Sequence, residues 1–97
     1  MQHKPSTSKD SKISFPKLES WNPMHNVATI AVDVDKTRVL CRISRDVLRL
    51  FCADKTVDPM NILKDHRSVF EDKALKLIQN KSYEKDGSLE IREADIK

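Results

Sequence analysis

Residues 58–96 constrain the fold of this chain most, because a helix start, a single glycine and a strand follow one another there. Asp58 precedes Pro59, which is typical of a helix start: aspartate accepts free backbone N–H groups, and proline suits the first turn. Gly87 is the only glycine of the chain, and the alternating residues 89–92 follow it. This order predicts a helix that turns back through a glycine into a strand.

The helix is predicted over residues 59–82. At 100° per residue, its apolar stripe spans about 180° of arc. The stripe consists of Ile62, Leu63, His66, Val69, Phe70, Ala74, Leu77 and Ile78. On its flank, Arg67 and Glu71 have the four-residue spacing of a helical ion pair, and we predict a structural role for this pair. We interpret His66 as a partly buried structural histidine rather than a catalytic base.

Upstream of the helix, alternating apolar residues predict a pair of antiparallel strands. Residues 27–34 form the first strand, residues 35–36 the turn, and residues 37–43 the second strand. One face of this pair is predicted to join the core through Ala28, Ile30, Val32, Val34, Val39, Cys41 and Ile43. Ser44 is a suitable N-cap for a short helix that follows. Residues 13–15 are predicted as a short first strand, and residues 17–26 as a loop in which Trp21 covers a core edge.

The predicted fold is α+β, with the element order β-β-β-α-α-β. An antiparallel sheet of three to four strands carries two helices on one face. A chain of 97 residues fits one domain. We therefore predict a disordered arm over residues 1–12 and a single domain over residues 13–97.

The net charge of +3 is unevenly distributed. Residues 1–12 hold three lysines against one aspartate, whereas the rest of the chain holds 15 basic and 14 acidic residues. The predicted domain is therefore close to neutral, which argues against a broad phosphate-binding surface. The N-terminus lacks an apolar run, so we expect neither a signal peptide nor a membrane segment. Cys41 and Cys52 are expected to be free thiols in a cytoplasmic protein.

The sequence carries no motif of a known cofactor or metal site. A single glycine excludes glycine-rich phosphate loops, and the three histidines and two cysteines lack the spacings of metal ligands. A nucleophile–base pair of Cys52 and His66 would require the two helices to bring these residues together. We expect no cofactor, no metal and no enzymatic activity.

The most promising surface is the sheet face turned away from the predicted helices. It carries Val27, Thr29, Ala31, Arg38, Leu40 and Arg42. One interpretation is an interface with a protein partner or a second copy of the chain, because a partly apolar face with arginine at its rim suits such contacts. Another is a nucleic-acid platform formed by Arg38, Arg42, Arg45 and Arg49, although this face lacks the exposed aromatic residues that stack on bases. An ordinary solvated face is the third.

The order of these motifs resembles a bacterial family known as domain of unknown function 1488. The resemblance covers about residues 13–96. It rests on residues 13–16 with Trp21, residues 41–44 with Leu48 and Phe51, then Leu63, His66, Arg67, Phe70, Ala74 and Ile78, and finally Gly87, Leu89, Ile91 and Asp95. It implies a small α+β domain with an antiparallel sheet and paired helices, and it brings no established activity, cofactor or catalytic residue.

Our sequence-based hypothesis is a small cytoplasmic bacterial protein that acts as a non-catalytic interaction or accessory module, whose partner is either another protein or a second copy of the chain. The alternative is a nucleic-acid-associated regulator that uses the four arginines.

Overall fold

The computed structural model describes residues 12–97, so the predicted arm lies outside the described residues except for Lys12. The described part contains five strands and four helices. In chain order these are β1 (Ile13–Ser14), β2 (Glu19–Asn22), β3 (Val27–Val34), β4 (Thr37–Ser44), α1 (Arg45–Arg49), α2 (Pro59–Asp65), α3 (Arg67–Gln79), β5 (Leu89–Ile91) and α4 (Glu93–Ile96). The predicted α+β class is confirmed.

The hairpin of β3 and β4 is the centre of the sheet. The two strands pair antiparallel along their whole length, from Val27 opposite Ser44 to Val34 opposite Thr37. Asp35 and Lys36 connect them with φ values of 50° and 71°. Left-handed backbone at both turn positions is what a two-residue hairpin turn requires, and aspartate tolerates it well.

The sheet is larger than predicted, because residues 17–26 are not all loop. β2 pairs antiparallel with β3, and Trp21 lies opposite Ala28, half-buried against the core. β1 pairs with the other end of β3, so both short strands share one edge. The polar sequence of β2 gives no strand signal of its own, because its partner strand supplies the pairing. Five strands therefore replace the predicted three to four.

The last strand lies parallel to its neighbour. β5 pairs with β4, with Cys41 opposite Leu89 and Ile43 opposite Ile91. The helices between β4 and β5 return the chain to the same end of the sheet, so the sheet is mixed rather than purely antiparallel. Gly87, just before β5, has a φ of +86°, as expected of the glycine turn.

The predicted long helix is two helices. α2 ends at Asp65, His66 adopts φ −116° and ψ 23°, and α3 begins at Arg67. α2 packs beside α1 and β3, whereas α3 packs on β5. Helical periodicity continues across the break, so it predicted helix without revealing the change of direction. Ile96, predicted to end the last strand, lies in the short helix α4.

The helices cover one face of the sheet. We call it the covered face, and its side chains are fully buried or nearly so. They are Ala28, Ile30, Val32, Val34, Val39, Cys41 and Ile43. The opposite side of β3 and β4, here called the open face, presents Val27, Thr29, Ala31, Asp33, Arg38, Leu40 and Arg42. The assignment of residues to the two faces is as predicted. Within residues 12–97, no helix is long and apolar enough to cross a membrane.

Candidate functional site

A protruding leucine and a small buried alanine lie side by side at the centre of the open face, and we call this pair the apolar step. Leu40 is 47% exposed, and its cross-strand neighbour Ala31 is only 4% exposed. Leu18, in the segment before β2, adds a second large apolar group that is 52% exposed. Its carbonyl accepts a hydrogen bond from the backbone N–H of Ala31 at 3.2 Å, which holds it at this edge. The small alanine thus sits between two protruding leucines.

The step forms a shallow depression of about 200 Å³. Its lining includes Leu18, Ser20, Thr29, Ala31, Arg38 and Leu40. Four of the six residues predicted for this face line the depression, with Arg38 as its charged border, whereas Val27 and Arg42 do not. Leu18 and Ser20 were missed, because they belong to the segment that was predicted as a loop.

Charged side chains at one end of the depression are paired across the strands. Arg38 Nε donates to Asp33 Oδ1 at 2.5 Å, and the two residues are cross-strand neighbours. The hydrogen bond to this carboxylate, together with its negative charge, raises the pKa of the Arg38 guanidinium above its ordinary value. The pair therefore places one positive and one negative charge side by side, next to the step formed by Ala31 and Leu40.

Beyond the depression, at the other end of the open face, Arg42 contacts the loop before β5. Its Nη2 donates to Ser88 Oγ at 2.7 Å and lies 3.7 Å from Asp86 Oδ2. Hydrogen bonds from the Ser88 hydroxyl and backbone N–H, together with the Arg42 charge, lower the pKa of Asp86. Since β5 lies beside β4, Glu90 is the cross-strand neighbour of Arg42 and adds a negative charge there.

The four arginines of the nucleic-acid hypothesis are divided between two places. Arg38 and Arg42 lie on the open face, whereas Arg45 and Arg49 lie on α1. The α1 pair lines an open groove of about 580 Å³ together with Asp46, Ala53 and Lys55. Arg49 Nη1 donates to the carbonyls of Asp54 and Val57 at 2.7 and 3.0 Å, which fixes the guanidinium.

Arg67 and Glu71 form the predicted ion pair, with Arg67 Nε 3.0 Å from Glu71 Oε2. Arg67 also binds Glu19 of β2 through Nη1 and donates to the carbonyl of Pro16 at 2.8 Å. The side chains of Arg67 and Glu19 are both only 17% exposed. Arg67 thus joins α3 to the edge of the sheet, on the covered side, which the sequence spacing did not predict.

The residues considered for catalysis, His66 and the two cysteines, lie in or beside the packed core. His66 is half-buried, and its ring lies 4.9 Å from that of Phe51, which also packs on Phe70. Cys41 and Cys52 are free thiols, as expected. Burial raises the pKa of Cys41 to about 12, so this thiol stays protonated at neutral pH and is a poor nucleophile. No hydrogen bond joins Cys52 to His66 among the residues described. Residues 12–97 also hold no cluster of three metal-ligating side chains.

The fold and this face define a small mixed α+β domain with one helix-covered and one open sheet face. The chain belongs to the family described as "Protein of unknown function (DUF1488)", whose model matches residues 13–91. This confirms the family indicated by the sequence motifs.

A solved structure supports the fold. It is a protein of unknown function from the DUF1488 family of Shewanella loihica PV-4, and it is 18% identical to this chain with a TM-score of 0.77. The match covers 87% of this chain and 96% of that one. At this identity the likeness concerns the fold alone. No curated protein matches the chain.

Proposed function

We propose that this protein is a non-catalytic protein-interaction module of the bacterial cytoplasm, and that the open face is its docking surface. The observation that carries the proposal is the exposure of Leu40 and Leu18 around the buried Ala31. Large apolar groups gathered at one concavity mark protein contacts more often than single exposed leucines do.

The rim of the open face supports the same proposal. Arg38 and Arg42 are held by Asp33 and by Ser88 with Asp86, so their orientation is set before a partner arrives. An apolar centre bordered by oriented arginines resembles the general anatomy of protein interfaces. Preordered side chains also lose less conformational entropy on binding.

The surroundings of Cys41 and His66 support a non-catalytic role. The buried thiol is protonated at neutral pH, and the histidine packs against an aromatic ring. Two free thiols in a small domain are also typical of a reducing compartment.

The test is a capture experiment with matched leucine variants. Leu40 and Leu50 have similar exposures, 47% and 42%, but Leu50 follows α1 and does not line the depression. Immobilised wild-type protein and the Leu50→Glu variant should retain the same set of proteins from an extract of the source cells, and Leu40→Glu should lose them. Quantitative mass spectrometry measures this. Equal retention by all three forms contradicts the proposal.

The α1 groove favours nucleic acid as a second candidate. Arg45, Arg49 and Lys55 outnumber the one acidic residue that lines it, Asp46. Binding to a duplex of mixed sequence, followed by fluorescence anisotropy, should weaken steeply with salt because phosphate contacts release counterions. Replacing Arg45 and Lys55 by glutamine should abolish it, whereas Arg38→Gln should have a smaller effect. Absence of binding at low salt excludes this candidate.

A further inference from the structure

We propose that the partner of the open face is a second copy of this chain, related by a two-fold axis that runs along the strands between β3 and β4. This inference rests on the proposed function and names its partner. It follows from the order of side chains on the two central strands.

The first argument is shape. Leu40 protrudes from β4, and its neighbour on β3 is the small, buried Ala31. A two-fold axis along the strands, midway between them, exchanges the two columns and keeps the position along the strands. Each Leu40 then lies over the Ala31 of the other copy, in the depression of about 200 Å³. One face thus provides both the protruding group and the space that receives it, as an isologous interface requires.

The second argument is charge. Asp33 and Arg38 are also cross-strand neighbours on β3 and β4. The same rotation places each Arg38 over the partner copy's aspartate at the same position, so opposite charges meet on both sides of the axis. Arg42 lies opposite Thr29 on β3. The rotation therefore places each Arg42 over the threonine of the partner copy and not over a cation. The face is therefore electrostatically complementary to itself in this orientation.

The other in-plane axis fails on the same criterion. A two-fold axis perpendicular to the strands through Leu40 keeps each strand column and reverses the direction along it. Arg38 of one copy would then lie over Arg42 of the other, since the two are equally far from Leu40 on β4. Like charges in contact disfavour that arrangement. Charge thus selects the axis along the strands, which gives the aligned packing of two sheets about 10 Å apart.

The area of the face sets the expected strength. The two central strands have eight residues each, and the strands on either side of them are shorter. Four columns of full length would give a footprint of about 27 by 19 Å, roughly 500 Å², which is therefore an upper value. Standard interfaces bury about 800 Å² per partner, so this one belongs to the weak, reversible class. The association must therefore be measured across concentration, from about 10 μM to about 1 mM.

The first experiment measures mass by sedimentation equilibrium over that range. The wild-type protein and Leu50→Glu should shift from 11.2 kDa toward twice that mass as concentration rises. Leu40→Glu should raise the dissociation constant by about tenfold or more, because it places a charge in the centre of the interface. Far-ultraviolet circular dichroism confirms that each variant is folded. A monomeric wild type at all concentrations overturns the proposal, as does a dimer that Leu40→Glu leaves unchanged.

The second experiment tests the axis by exchanging charges between copies. Asp33→Arg makes the pair all positive, and Arg38→Asp makes it all negative, so each variant alone should be monomeric. Mixing the two should form a heterodimer, detectable by native mass spectrometry, and the double variant Asp33→Arg/Arg38→Asp should dimerise with itself. Mixing cannot repair a defect within one chain, so a merely structural effect gives no recovery. Absence of the heterodimer overturns the proposed axis, even if the double variant dimerises, because that variant restores the charge pair within each chain.

These outcomes are separable from the fate of the proposed function. A monomeric wild type that still captures other proteins in a Leu40-dependent manner overturns the second copy and leaves the docking surface in place. If Leu40→Glu abolishes dimerisation of the wild-type face and the two charge variants form a heterodimer with each other, both the docking surface and the second copy are supported.

Discussion

The two faces of the β3–β4 hairpin share one backbone and differ in what covers them. Cys41 on the covered face has no exposed surface, whereas Leu40, the preceding residue, is 47% exposed. Side chains alternate across a strand, so neighbouring residues enter different environments. The covered face stabilises the fold through burial, whereas the side chains of the open face, apart from Ala31, are half-buried or exposed. This difference is the basis on which we propose the open face as the docking surface.

The core that lies on the covered face continues into the helices. Phe70 of α3 is fully buried, and its ring packs 4.9 Å from that of Phe51. Arg67, one turn earlier, fastens the same helix to β2. Stability should therefore respond in graded fashion to substitutions, from the helix core to the sheet edge, then to the rim of the open face and finally to its centre.

The largest effect is expected in the core. Phe70→Ala removes a fully buried ring and leaves a cavity, so the free energy of unfolding should fall by about 3–5 kcal/mol. Urea denaturation followed by circular dichroism measures the loss. Leu40→Ala, a truncation on the open face, is the control and should cost less than about 1 kcal/mol. Similar losses for both variants would break the distinction between the faces.

The next effect concerns the sheet edge. Arg67→Met keeps much of the side-chain volume but leaves the half-buried Glu19 carboxylate without its guanidinium partner. The free energy of unfolding should fall by about 1–3 kcal/mol. The double variant Arg67→Met/Glu19→Gln should recover part of this loss, since a neutral amide then replaces the half-buried carboxylate of Glu19, while Glu71 lacks Arg67 in both variants. Strictly additive losses in a double-mutant cycle would contradict a direct coupling between the two residues.

A smaller effect is expected at the rim of the open face, and it depends on pH. The pKa of Asp86 is lowered in the folded state by the Ser88 hydrogen bonds and by Arg42. Its ionised form therefore adds stability above the pKa of the unfolded chain, near 4, and this stability is lost as pH falls through the folded pKa. Asp86→Asn should be less stable than the wild type at pH 7, and the difference should shrink toward pH 3. Thermal unfolding at both pH values checks this, and a constant difference would refute it.

The smallest effect on stability is expected at the centre of the open face. Leu40→Glu places a carboxylate between Arg38 and Arg42 on the same side of β4, so folding should change by no more than about 0.5 kcal/mol. Equilibrium unfolding at a concentration low enough to keep the protein monomeric measures this. A loss of several kcal/mol would show that the open face belongs to the core after all. A small loss sharpens the comparison, because any effect on association is then separate from folding.

Local patterns in the sequence predicted the hairpin, the capped helices, the glycine turn and the residues on each face. Ser44 and Asp58 do accept hydrogen bonds at helix starts, from Val47 and Met60. Cap chemistry and alternation act over a few residues, so they are visible without a structure. The candidate open-face residues were found in the same way, since they are the polar-side members of two strongly alternating strands.

Contacts between distant segments were not visible in this way. Arg67 and Glu19 are 48 residues apart, and no local rule links them. β2 has too little apolar character to be recognised alone, and its strand conformation depends on pairing with β3. For the same reason the sequence did not place Leu18 beside Ala31, which completed the depression.

The sequence by itself determined the α+β class, the family and the alternation that separates Cys41 from Leu40, because these follow from local periodicity and spacing. Only the tertiary structure decided that β5 runs parallel to β4, that the long helix breaks at His66, and that Ala31 lies between two exposed leucines. These features depend on which distant segments meet. That outcome is set by the packing of the whole chain, and no short stretch of sequence encodes it.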